Sequence, residues 1–357
     1  MRKILSIVLA LSLMLGAVAC GKTVENAETS FFSTEAQTST ETVAETTETT
    51  TETLPVTTVS ETSTETVSVT EKSVPTQPTT AETVPVPSQM DNSSKPLKAV
   101  YGKRTGTSKT YTGLEPLSER KLPVVDPDNV RKLDETEIQH SFGVAKNGKP
   151  HEISVNNQKL YQKYGGLCLD TSGEKVIYLT FDCGYENGCT EKILDTLKEK
   201  NVPAAFFVTL PHVKSCPELI ARMINEGHTV GNHSVNHPNF SKITRTQMAE
   251  EIEVLDNYLR THFGYSSPYF RFPEGACSES ALDLVQNVHY KSVFWSCAYA
   301  DWDVSNPKGK QYAFDTVTSR LHPGCVLLLH AVSPDNAEAL GDIIDYAVSQ
   351  GYTFKSL

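Results

Sequence analysis

From about residue 137 onward the chain alternates short apolar runs with segments of longer apolar period. The runs are Val176–Phe181, Ala204–Val208, His228–Gly231, Tyr269–Arg271, Ser292–Cys297, Val326–Leu329 and Tyr352–Lys355. Their lengths and their apolar character predict strands. Between them the pattern turns helical. In 244–263, Met248, Ile252, Leu255 and Leu259 share one face, and Thr244 with Gln247 forms a capping box. In 217–226, Leu219, Ile220, Met223 and Ile224 do the same, with Gly227 placed to end the helix. Residues 190–200 and 335–350 follow suit. About seven strand–helix units in alternation predict an α/β fold, with parallel strands wound into an irregular (β/α) barrel.

The first 136 residues show no such pattern. Arg2 and Lys3 form a positive start, residues 4–19 an apolar stretch too short to span a bilayer comfortably, and Ala17-Val18-Ala19 precede Cys20. Residues 1–20 resemble a bacterial lipoprotein signal with its lipobox, which implies acylation at Cys20 and anchorage to the outer face of the cell membrane. The other reading is an ordinary secretory signal cut near the same place. Residues 21–90 are nearly all Thr, Glu, Ser, Val and Pro, with eleven Glu against two Lys. Such a polymer buries too little apolar surface to offset its ordering entropy. Residues 91–136 are polar and poorly patterned, so the disordered linker is expected to run over 21–136 and the folded domain over 137–357.

Charge and cysteine usage sharpen this division. Of the net charge of −11, residues 21–90 carry −9, which leaves residues 91–357 near balance. With no basic arm, nothing argues for nucleic acid. Seven cysteines remain after Cys20, an odd number without a CxxC pair, and their spacing identifies no disulfide.

Reactive residue types cluster just after the apolar runs: Asp182, His233, Arg271, Asp301 and His330. In a β/α barrel the strand C-termini form one face, where chemistry is done. His233-Ser-Val-Asn-His237 places two imidazoles four residues apart, expected on one side of a helical turn and suited to Zn²⁺ or a similar ion. The spacing alone is a weak signal. It gains weight because it follows a short strand and a Gly-Asn pair.

TFDCG, HSVNH, RFPEG, DW and LLH occur in that order and resemble the five motifs of the polysaccharide deacetylases, the NodB-homology or carbohydrate esterase family four, over 137–357. More narrowly, IYLTFDxGYENG, FWSxAxxDW, LLHxVSxDNAEAL and QGYTFKSL are similar to the branch that removes acetyl groups from N-acetylmuramic acid and so supports muramic δ-lactam formation in spore cortex or cell wall. The resemblance implies Asp182 as general base, His233 and His237 as ligands of a divalent metal, Zn first, Arg271 as the residue that orients the base, and His330 as general acid tuned by Asp301. It further implies that Tyr185, Phe272, Pro273, Gly275, Trp302 and Leu328 shape the substrate groove. Trp295 is read as core.

The sequence departs from the family pattern at three places. Cys183 stands where a third metal ligand is usual, as a thiolate ligand, a neutral space-filler or a bridged cysteine. Ala298 and Ala331 stand where acids are usual. The expected partners are a peptidoglycan glycan strand and, through the lipid, a membrane, with the chain a monomer facing the cell wall. Two alternatives stay open: deacetylation of N-acetylglucosamine in peptidoglycan, chitooligosaccharide or another surface glycan, and a non-catalytic glycan-binding lipoprotein.

Overall fold

The computed structural model describes residues 97–357. The signal segment, Cys20 and the linker up to residue 96 lie outside the described residues.

The segment 97–136, expected as linker, is built into the fold instead. Strand β1 (Val100–Tyr101) leads into it, and β2 (Ile138–Gln139) and helix α1 (Glu152–Tyr161) follow. β1 pairs antiparallel with Tyr265–Ser266. The Thr112 hydroxyl donates to Phe263 O at 2.6 Å, Arg120 Nε meets buried Asp256 at 2.7 Å, and Glu253 accepts from Leu122 N at 2.6 Å. All three partners lie within one long helix, residues 245–263. The polarity of 97–136 therefore serves tertiary hydrogen bonding along that helix. No apolar period in the segment itself announces this.

The barrel begins with β3 (Val176–Cys183), then α2 (Thr190–Lys200), β4 (Ala205–Val208), α3 (Leu210–Ser215), α4 (Pro217–Asn225) and β5 (Thr229–Asn232). α5 (Arg245–Phe263), the short strands β6 (Tyr265–Ser266), β7 (Tyr269–Phe270) and β8 (Ala276–Cys277), and α6 (Glu279–Asn287) follow. The chain ends with β9 (Lys291–Ser292), α7 (Lys310–Thr318), β10 (Cys325–His330), α8 (Pro334–Ser349) and β11 (Thr353–Phe354). Local chemistry explains the helix ends. Thr244 and Gln247 cap α5 reciprocally, and Gly264 closes it in the left-handed conformation. Pro217 opens α4, where a missing N–H costs nothing.

Seven parallel strands form one sheet in the order β10-β3-β4-β5-β7-β9, with β11 also on β3. The run expected over Ser292–Cys297 pairs as a strand only at its start. Leu167 intrudes beside it, donating to Ser292 O and accepting from Phe294 N. The run then returns to the sheet at the single bridge Cys297↔Leu327, which makes the closure irregular.

Side chains alternate across the barrel wall. Ala205, Phe207, Tyr269, Val293 and Val326 pack together in one cluster. Phe181, Leu179 and Ile177 pack on the other face against Leu194 and Leu197 of α2 and Leu340, Ile343 and Ile344 of α8. Gly231 is required on β5, because a Cβ there would lie 2.6 Å from the Phe207 ring.

Candidate active site

The last residues of β3 decide which side chains face the cleft. Asp182 lies beside His330 in the β3–β10 register. Its Oδ1 accepts from Arg271 Nη1 at 2.7 Å. Arg271, from the end of β7, is fully buried. Its Nε donates to Val293 O at 2.9 Å, and its Nη2 to Thr180 Oγ1 at 2.9 Å and Phe294 O at 3.4 Å. The guanidinium also lies 4.1 Å from the Phe207 ring centroid. Burial pushes the Asp182 carboxyl up, but Arg271, with His233 and His330 beside it, more than offsets this and holds it below the usual carboxylate range.

His233-Ser-Val-Asn-His237 is a loop after β5, and the expected helical turn does not form. Ser234 and His237 take positive φ of 72° and 55°. Two side chains collect the loop's free N–H groups. Asn232 Oδ1 accepts from Ser234 N at 2.9 Å, and Glu251 Oε2 accepts from Val235 N at 2.9 Å and Asn236 N at 2.8 Å. The two imidazole rings come to 4.8 Å between centroids, nearly perpendicular.

His233 Nδ1 faces Arg271 O at 2.8 Å, and a carbonyl only accepts, so Nδ1 carries the proton. Nε2 is left with its lone pair, 3.6 Å from Asp182 Oδ2. Burial lowers the His233 pKa to about 4, so the ring is neutral. A neutral imidazole with its other nitrogen anchored on a carbonyl is the form that ligates a metal. The paired imidazoles of His233 and His237 are donors of the type that suits a borderline divalent ion such as Zn²⁺.

Across the cleft, Asp301 holds His330. Its Oδ1 meets His330 Nδ1 at 2.7 Å, and its Oδ2 accepts from His330 N at 2.8 Å and Asn336 Nδ2 at 2.5 Å. Tyr299 OH donates to Asn336 Oδ1 at 2.6 Å. Burial would lower the His330 pKa, but the Asp301 hydrogen bond and charge raise it above the ordinary histidine value. The pair therefore favours an imidazolium facing the cleft.

Asp182, His233, His237 and His330 line one cleft of about 790 Å³, together with Tyr185, Trp295, Trp302, Leu328 and Arg320. Tyr185 and Trp302 are exposed, and Leu328 is buried. Trp295, expected as core, packs against Phe207 and Phe272 partners yet also lines this cleft.

Three groove assignments need correction. Phe272 is buried core, stacked on Phe294 with 5.6 Å between centroids. Pro273 and Gly275 are buried as well, and the residue between them, Glu274, lines the cleft at φ 58°. Gly275 acts through packing, since at φ +69° a Cβ would stand 2.9 Å from Trp295 Cη2.

Cys183 also departs from the ligand reading. As the residue after Asp182 on a strand, it points to the opposite face. There it packs with Phe181, Val208 and Leu210 in the apolar layer outside the barrel. Burial pushes its thiol well above the usual range, the reverse of what a thiolate needs. The cysteines from Cys168 to Cys325 are all free, so the bridged reading fails too. Among the described residues no group of three His, Cys, Asp or Glu side chains is placed to hold an ion.

Several positioning residues escaped the sequence reading: Thr180, Asn232, Glu251, Tyr299 and Asn336. Thr180 and Asn336 stood inside recognised motifs, TFDCG and DNAEAL, and Tyr299 at an open position of FWSxAxxDW, but none of those motifs named a role for them.

The polysaccharide deacetylase family model matches residues 170–293. The peptidoglycan-N-acetylmuramic acid deacetylase PdaA of Bacillus subtilis is 44% identical over 221 residues, covering 62% of this chain and 84% of that protein. Its solved structure, a family 4 carbohydrate esterase, superposes with a TM-score of 0.59 over 62% of this chain and 95% of the other. A family 4 carbohydrate esterase from Bacillus anthracis is 41% identical, with a TM-score of 0.51 over 63% and 95%. A peptidoglycan-N-acetylglucosamine deacetylase of Bacillus cereus is 32% identical over 193 residues, 53% of this chain and 68% of that one. The chain belongs to the polysaccharide deacetylases of carbohydrate esterase family 4, and is a hydrolase.

Proposed function

We propose that this protein hydrolyses the acetamide of N-acetylmuramic acid in peptidoglycan, releasing acetate and leaving the free amine from which a muramic δ-lactam is built. One observation carries the reading. A carboxylate fixed by a buried arginine and an imidazole biased toward its charged form line the same cleft as a pair of histidines. The name of the 44% identical relative supports the choice of sugar.

Asp182 is the base. Its Arg271 partner keeps it ionised and aimed, and it takes one proton as a water oxygen adds to the acetamide carbon. His330 is the acid. Held by Asp301, it gives its proton to the amine nitrogen as the C–N bond breaks. His233 and His237 would hold a divalent ion, Zn²⁺ first, whose chemistry is to polarise the carbonyl and acidify the water. Tyr185 and Trp302 offer exposed rings at the cleft for the sugar faces, and Leu328 offers its apolar floor. In this reading Cys20 carries the lipid, the acidic Thr-rich segment spaces a single-chain enzyme away from the membrane, and the catalytic unit starts at β1, well before 137. A Cys20→Ser protein should leave the membrane fraction. Wild-type protein without a lipid-modified N-terminus would remove the anchor from the proposal.

The test of the activity is product analysis on peptidoglycan strands. Mass spectrometry should find one acetyl group lost from muramic acid. Loss only from glucosamine would transfer the activity to N-acetylglucosamine, and loss from neither would make the protein a binder.

A further inference from the structure

The cleft contains a second arginine. Arg320 sits in the turn between α7 and β10, half-buried, and lines the same cleft as Asp182 and His330. Its Nη1 donates to Ala298 O at 2.6 Å. Its remaining N–H groups have no acceptor, and it pairs with no carboxylate, among the described residues. The acids within reach of the chemistry are already committed, Asp182 to Arg271 and Asp301 to His330. Glu274, the other acid lining the cleft, is exposed on the loop after β7, where Gln139 binds its backbone carbonyl. Beside Arg320 the wall is small, because Ala298 and Ala300 present only methyl groups.

Arg271 shows what a structural arginine looks like in this molecule: fully buried, with every arm of its fork directed at an oxygen. Arg320 differs in both respects. A guanidinium that lines a mostly apolar cleft and is anchored by one nitrogen suits a carboxylate, which accepts two parallel N–H bonds.

We infer that Arg320 is a specificity-determining residue that binds the lactyl carboxylate of the muramic acid being deacetylated. The inference rests on the function proposed above. N-acetylmuramic acid differs from N-acetylglucosamine by a lactyl ether on O3, next to the carbon that bears the acetamide. That carboxylate is the one anionic group that distinguishes the two sugars, and Arg320 is the cleft's cation without an acid partner. Discrimination follows from charge: an ionised lactyl group is drawn to Arg320, and a lactyl amide or a bare hydroxyl is not.

The experiment uses the full-length protein and two substrates, peptide-free glycan strands and the same strands with the lactyl carboxylates converted to primary amides. Wild type should favour the free carboxylate by about 10–100-fold in kcat/KM, the worth of one charged hydrogen-bonded contact. Arg320→Gln should bring that ratio close to one, chiefly through KM. Arg320→Lys should restore part of it, as a point charge without the fork. An NMR titration with N-acetylmuramic acid and with N-acetylglucosamine supplies a readout independent of turnover. Wild type should bind the former more tightly, and Arg320→Gln should bind both alike. The inference is overturned if wild type treats free and amidated strands equally, or if Arg320→Gln keeps the wild-type ratio. If acetyl is lost only from glucosamine, the proposed function fails, and the titration still decides whether Arg320 reads a carboxylate.

Discussion

His233 and His330 are the same residue type, both at or just past the C-terminal end of a barrel strand and both facing one cleft, yet the fold prepares them for opposite states. His233 gives its Nδ1 proton to a carbonyl, and burial takes its pKa to about 4. His330 gives its Nδ1 proton to a carboxylate, and its pKa rises. The same contrast separates the two aspartates. Asp182 is held by an arginine whose charge never leaves, and Asp301 by a histidine whose charged form it favours. In the proposed mechanism the partner behind each group, more than the group itself, assigns base, ligand and acid.

The largest way to break this arrangement is to remove either end of the proton path. Asp182→Asn keeps an acceptor for Arg271 but cannot take up a proton, and His330→Ala leaves the amine without a donor. Each should lower kcat on the order of 10²–10⁴-fold. Steady-state kinetics at saturating zinc would check this, and near-full activity in either variant would reverse the assignment.

Asp301→Asn sharpens the comparison, because it turns His330's partner into one like His233's. Asp301 raises the His330 pKa, so the acid is charged below that pKa and is lost as pH rises through it. Without the carboxylate the pKa falls, and the alkaline limb of the kcat profile should move to lower pH. The stability contributed by the pair has the same sign. It is fully present below the unfolded histidine pKa and is lost as pH rises through the folded one. A pH–rate profile with an unmoved alkaline limb would show that Asp301 does not tune His330.

Cys183 offers the smallest effect. Cys183→Ser puts a hydroxyl among Phe181, Val208 and Leu210, at a cost of about 1–3 kcal/mol of stability. Zinc affinity, measured by competition with a chelator, should stay at the parent value. A marked loss of affinity would return the thiol to the ligand set.

Much of the fold was readable because its signals are local. Apolar runs mark β3, β4, β5, β7, β10 and β11, and the Thr244–Gln247 box marks the start of α5 within four residues. The residues that hold the site in shape carried no such signal. Thr180 supports Arg271 from 91 residues away, Asn336 supports Asp301 from 35, and Glu251 reaches back 16 to Val235. A polar side chain with a distant partner looks like any surface polar residue. The same blindness turned 97–136 into linker, since its partners lie on α5.

What the sequence alone determined was the order of the main parallel strands and of α2, α4, α5 and α8, and which reactive residue types stand at the strand ends, because period, caps and motifs are written in neighbouring residues. What only the tertiary structure decided was direction and charge. It turned Cys183 away from Asp182, shaped the His233–His237 loop around Glu251, and set one histidine neutral and the other toward its charged form. Those outcomes depend on which distant carbonyl, carboxylate or guanidinium comes within hydrogen-bond reach, and chain closure in three dimensions sets that distance.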